Sequence, residues 1–305
     1  MDQLTLPLHV LVGGYAGCFR AEVFQMFRSM LGAWIVCLGR RTISRVWETT
    51  GHSQHEDHSA AFRLFSQAAW NWDEVCRLFI LDVLAHLVPG MHVWLVVDDT
   101  LCHKRGAHVA FGGIFLDAVL STSKHKIFRY GNNWVTLGLV VQLPCRPDRY
   151  YCLNVLWRVC EKRGGRSRKE HRSKPQLAAE MIRQIASWLP KYKLHVVADV
   201  AYADGKGLLG FHDPEVWCAH SVERAHPMSW FVGSLVVLWY ALFGHEEPMP
   251  QRHRPWYAHK PAVTFADMLA TCRYHLWRNW LAKSGSPAEL EDRRAWLLEY
   301  LATAA

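Results

Sequence analysis

HVWLVVDD (residues 92–99) decides how the rest of this chain is read. Bulky and β-branched side chains run up to two adjacent acids, Asp98 and Asp99, the pattern of a strand that delivers carboxylates at its end. KLHVVAD (193–199) repeats it with one acid, Asp199. Between them lie WVTLGLVVQLP (134–144) and RYYCLNVLWRV (149–159), joined by the turn CRPD and so expected to pair antiparallel. QLAAEMIRQIASWLP (176–190) follows, with Leu177, Met181, Ile185 and Leu189 on one stripe of a predicted helix. Three strands, a helix and a strand predict a mixed α/β layout.

Upstream the pattern changes to helical spacing, from about Phe19 to Val88, closed by the breaker pair Pro89-Gly90. Arg40, Arg41 and Arg45 cluster near one helix start there. They suit either a helix-turn-helix DNA reader or the basic solvated face of an ordinary bundle. Downstream, SWFVGSLVVLWYALFG (229–244) is apolar all round and predicts a buried helix. Thr264 with Asp267 three residues on predicts a capping box opening another.

Composition narrows the partners. The chain has 305 residues, 35 Lys and Arg against 27 Asp and Glu, and a net charge of +8, which favours a polyanion. Seven cations crowd EKRGGRSRKEHRSKP (161–175): Lys162, Arg163, Arg166, Arg168, Lys169, Arg172 and Lys174. An exposed loop of this kind suits phosphate contact, with a solvated linker as the bland alternative. Nine scattered cysteines without a Cys-x-x-Cys argue against a disulfide framework or structural zinc, and imply reduced thiols in a cytoplasmic protein. Trp230–Phe243 is too short to span a bilayer, and no membrane partner is expected. Fifteen tryptophans point to a dense aromatic core.

Carboxylates at adjacent strand ends can hold hard divalent cations, and a two-metal site can drive phosphodiester chemistry. Asp also ends strands simply because it favours turns. Alternation along the strand puts Asp98 and Asp99 on opposite faces and leaves open which of them faces a metal; the lean is to Asp98, with the Thr100 hydroxyl nearby.

VVDDTLCHKRG, LDAVLSTS, YGNNWVTLGLVVQLP, HVVADVAYADG and HKPAVTFADMLATCRYHLWR, in this order, resemble bacterial insertion-sequence transposases of the DDE superfamily, the DDE superfamily endonucleases. The resemblance covers nearly the whole chain. It implies a ribonuclease-H-like mixed sheet with flanking helices, preceded by an all-helical N-terminal domain (residues 1–90 and 91–305). It implies Asp98 or Asp99 as the first acid and Asp199 as the second. It also implies Mg²⁺ (or Mn²⁺) as cofactor, and insertion-sequence ends and target DNA as partners; a homodimer is left open. In similar transposases a Glu on a later helix completes the set. After Asp199 there is little room for it, so the chain reads as joined across an internal deletion near Gly205 to Gly210. Glu215, Glu223, Glu246 and Glu247 are poor substitutes. The expectation is a transposase crippled in catalysis; the competing readings are a non-enzymatic DNA-binding remnant and an unfolded relic.

Overall fold

The computed structural model describes residues 4–50, 58–106, 108–122, 124–162, 171–198, 218–250, 263–283 and 285–303. Its centre is a mixed sheet built on β1 (His92–His103), which pairs antiparallel with β3 (Phe128–Leu143) and parallel with β5 (Lys193–Ala198). On its far side β3 carries two partners in succession: β2 (Gly113–Leu116) along its first residues and β4 (Arg146–Cys160) along the rest. The antiparallel β3–β4 hairpin and the β1–β5 parallel pair agree with the sequence layout. The connection between β4 and β5 is α6 (Lys174–Trp188), as a parallel crossover requires.

β1, β3 and β4 outrun their sequence boundaries, β3 the most at its start. β3 begins six residues before Trp134, through Tyr130-Gly131-Asn132-Asn133, a stretch with turn composition. Gly131 belongs there for a steric reason. A Cβ on it would sit 2.0 Å from the carbonyl oxygen of Cys102 on β1. β2 is too short to show a period and was not anticipated.

Helices cover both faces. Neighbouring residues of a strand point opposite ways. Trp134 meets Trp230 of α7 (Ala219–Leu242), ring centroids 5.7 Å apart. On the other face Arg158, the cross-strand partner of Val135, reaches Glu180 and Gln184 of α6. α7 starts ten residues before the apolar run at Ser229 and continues through Pro227. It is long and apolar enough to cross a membrane, yet 89% of its most apolar window is buried inside the protein.

The helices before the sheet are α1 (Leu6–Gly13), α2 (Ala21–Val36), α3 (Ile43–Thr49), α4 (Ser59–Ser66) and α5 (Trp72–Leu87); after α7 come α8 (Phe265–Leu281) and α9 (Pro287–Thr303). One hydrophobic core runs from Leu4 to Leu276 and includes both sheet and helices. Trp34 on α2 donates to Ser229 Oγ on α7 at 3.3 Å. The backbone N–H of Leu38 donates to the Tyr300 hydroxyl on α9 at 2.6 Å. The tryptophans account for much of this fusion. Phe27, Trp70, Trp72, Phe231, Trp157, Trp230 and Trp134 form a chain of edge and tilted ring contacts from α2 to the sheet. The Thr264–Asp267 capping box is present: Asp267 Oδ2 accepts from Thr264 N at 2.7 Å. None of the nine cysteines forms a disulfide.

Candidate active site

Asp98 and Asp99 lie within β1, not at its tip, because the strand continues to His103. Their cross-strand partners are Thr136 and Val135. Thr136 faces α7 with Trp134, so Asp98 belongs to that side; Val135 and Arg158 place Asp99 on the α6 side. The two carboxylates have different environments. Asp98 is half-buried and its Oδ1 accepts the backbone N–H of Asp99 at 2.8 Å. Asp99 is exposed, and its Oδ2 lies 2.5 Å from the Lys174 ammonium in the first turn of α6. A cation at a helix N-terminus is disfavoured by the helix dipole. The Asp99 carboxylate offsets that, and Gln176 Oε1 closes the same turn by accepting from Ser173 N at 2.8 Å.

The parallel register ends at Val97 opposite Ala198. Asp199, the next residue, lies outside the described residues, as do Arg163, Arg166, Arg168 and Lys169 and the junction expected near Gly205 to Gly210. Among the described residues no three His, Cys, Asp or Glu side chains gather in a metal-binding group. Glu215 is outside the described set; Glu246 pairs with His245 and Glu247 with His275. Glu223 lines a pocket of about 360 Å³ with Trp157, Arg158 and Arg224. Hard oxygen ligands suit Mg²⁺ or Mn²⁺. Asp98 fits that requirement from the α7 face, and Asp99 fits it poorly because an ammonium already holds its carboxylate.

The expected DNA-contacting cations divide. Arg41 is 3% exposed and donates to the carbonyls of Trp34 (3.1 Å) and Cys37 (2.8 Å), capping the C-terminal end of α2. Arg273 of α8 donates to Ile35 O and Cys37 O beside it, and burial together with the Arg41 charge pushes its guanidinium down to about 10. Two guanidiniums thus sit on the negative end of one helix dipole. Arg45 stacks 5.6 Å over the Tyr300 ring and donates to Thr303 O of α9. Arg40 is exposed. Arg172 is paired with Glu180, and Lys174 with Asp99, both at the protein surface. Lys162 lies 5.3 Å over the Phe115 ring of β2.

Two features had no sequence signal. Arg158 is a buried hub: a fork onto Asp73 of α5 (3.1 and 2.9 Å), Glu180 Oε1 at 3.1 Å and Gln184 Oε1 at 2.6 Å. Burial opposes its charge, and the two carboxylates more than restore it, so its affinity for the proton is raised. At the end of β1, His103 Nε2 meets the buried Asp117 Oδ2 at 2.6 Å. Burial pushes the Asp117 carboxyl up, but the Leu120 N–H, His103 and the Val119 N–H outweigh it and hold it below the usual range.

A five-stranded mixed sheet with an acid-bearing central strand, a parallel neighbour reached through a helix, and helices on both faces has the ribonuclease-H-like layout. The family model of the DDE superfamily endonucleases matches residues 15–225, about two-thirds of the chain, and the protein belongs to that family. The match runs from the N-terminal helices through the whole sheet. Comparison with curated proteins and with solved structures gave no match.

Proposed function

We propose that this chain is a transposase of insertion-sequence type that engages DNA at the α7 face of β1 and does not complete strand cleavage. The observation that carries the reading is the β1–β5 register: it sets Asp98 beside the strand end from which Asp199 follows in a DDE endonuclease fold. A divalent cation there would polarise the scissile phosphodiester. Asp98 would hold it, and Asp199 would share it. Thr136 fixes the Asp98 backbone by donating its hydroxyl to Asp98 O at 3.3 Å.

The proposed defect follows from length. Only residues 199–218 separate β5 from α7, too few for a crossover, a further strand and a helix bearing a third acid. Without that acid the two-metal clamp lacks a ligand, and the chain remains a DNA-binding member of its family. The test is a plasmid-nicking assay with Mg²⁺ or Mn²⁺ beside a DNA-binding titration. Salt-sensitive binding without nicking supports the reading. Metal-dependent nicking that disappears in Asp98→Ala refutes the defect and shows an active nuclease.

A further inference from the structure

We infer that the far end of the sheet, where β1 stops and β2 and β3 run on with loop 117–127, is a DNA-phosphate clamp; this rests on the reading of the chain as a DNA-acting protein. Residues 104–129 contain five cations, Lys104, Arg105, Lys124, Lys126 and Arg129, and a single acid, Asp117. That acid is 3% exposed and is consumed internally: it accepts from Val119 N, Leu120 N and His103. The positive charge of the tip is therefore uncompensated locally. Arg105, Lys124, Lys126 and Arg129 are all exposed, and among the described residues none is ion-paired. This separates them from Arg41, Arg45, Arg172 and Lys174, whose guanidinium or ammonium groups are engaged within the protein.

The tip is also rigidly built. Asp117 N donates to Ile127 O at 2.8 Å, Ile127 N to Ser121 Oγ at 2.9 Å, and Thr122 N to His125 O at 2.8 Å, closing the loop on itself. The His103–Asp117 contact ties the loop to the end of β1. Preset cations lose less side-chain and loop entropy on binding a polyanion than cations on a floppy segment. Register puts Arg129 opposite Phe115, the ring beneath Lys162, so the tip is continuous with the start of the basic segment 162–174.

Position selects the partner. His103 follows Asp99 by four residues, roughly 13 Å along the strand. That is the span of about four base steps of B-form DNA. Strand alternation puts Arg129 on the Asp99 side, opposite Asp98, so the tip would hold duplex phosphates beyond the end of β1 rather than across the Asp98 face. The opposite side of β2 and β3 exposes Ile114, Leu116 and Phe128, so an anionic membrane is the rival occupant. The shared strand with the acids and the family membership favour DNA.

The experiment titrates the full chain with a short labelled duplex across a salt series, comparing wild type with Lys124→Gln/Lys126→Gln/Arg129→Gln. Each lost duplex phosphate contact lowers the slope of log affinity on log salt by about 0.9, so the triple variant should be shallower by about 2.7. Between 50 and 200 mM salt, wild type should lose about 40-fold more affinity than the variant. The three side chains are exposed, and an unchanged melting profile confirms an intact fold. An equal slope in both proteins overturns the clamp while leaving DNA binding in place. No duplex binding by wild type overturns the functional reading itself, and the clamp with it. Tighter binding to phosphatidylserine vesicles than to the duplex, lost in the triple variant, assigns the tip to a membrane and overturns it too.

Discussion

Replacing Arg158 by Met tests whether one guanidinium holds α5 and α6 against β4. The side chain is 16% exposed; its partners Asp73 and Glu180 are about one-third exposed. Removing one partner of a buried ion pair costs about 3–5 kcal/mol because the other charge is stranded. Here neither carboxylate is fully stranded. Gln184 Nε2 still donates to Asp73 at 2.9 Å, and Arg172 still pairs with Glu180. Partial exposure reduces the cost further. Met retains the aliphatic packing, so the expected loss is about 2 kcal/mol. Urea unfolding should show a lower midpoint with an unchanged slope. Arg158→Lys keeps the charge but not the fork, and should recover less than half. The pH dependence gives an independent check. Burial raises the Glu180 carboxyl, but Arg158 and Arg172 lower it more, so its folded value is depressed. Its contribution is then present above the ordinary carboxylate range, near ~4.3, and is lost as pH falls through the lower folded value. The gap between wild type and Arg158→Met should therefore narrow at acid pH. A midpoint within about 0.5 kcal/mol of wild type, or full recovery by Lys, refutes the hub.

Further outcomes can be checked with purified variants. Gly131→Ala should destabilise the protein by at least about 2 kcal/mol in a thermal melt, because its Cβ collides with backbone on β1. Manganese binding followed by water-proton relaxation should fall in Asp98→Asn and persist in Asp99→Asn, whose carboxylate serves Lys174; equal loss in both contradicts the face assignment. Arg41→Met should cost about 2–4 kcal/mol through two lost charged hydrogen bonds and leave the salt dependence of DNA binding unchanged. Asp117→Asn should increase amide exchange across residues 117–127, since the carboxylate anchors two turn N–H groups and His103.

The sheet was legible because its strands are apolar, β-branched and closed by turns: Val93 to Val97, Leu137 to Leu143 and Leu153 to Val159 all fall in strands as read. What escaped was decided by distant partners. Gly131-Asn132-Asn133 has turn composition, yet extends as strand because β1 accepts a residue without a side chain there. Arg41 and Arg45 look like a basic face in one dimension; α8 and α9, more than two hundred residues later, pack against it, Arg41 buried beside Arg273 and Arg45 reaching Thr303. Asp98 and Asp99 were legible as candidate ligands, and strand alternation separated their faces in advance. Lys174 could not be assigned to Asp99 from sequence, since only the α6 crossover brings the two together. His103 and Asp117 carry no spacing signal for the same reason.

The distance along the chain between α2 and its partners has a consequence for biosynthesis. Trp34 waits for Ser229, 195 residues on, and Leu38 for Tyr300, 262 residues on. At ribosomal speeds of 5–20 residues per second, that interval is roughly 13–50 s. Over that interval α2 is covered by α3, α4, Trp70 and Trp72 but not yet by α7, α8 and α9, so its packing is completed only late in synthesis. A chain ending before α8 would lack the Arg273 cap and the Tyr300 hydrogen bond at the C-terminal end of α2, while its contacts with α3, α4 and α7 would remain.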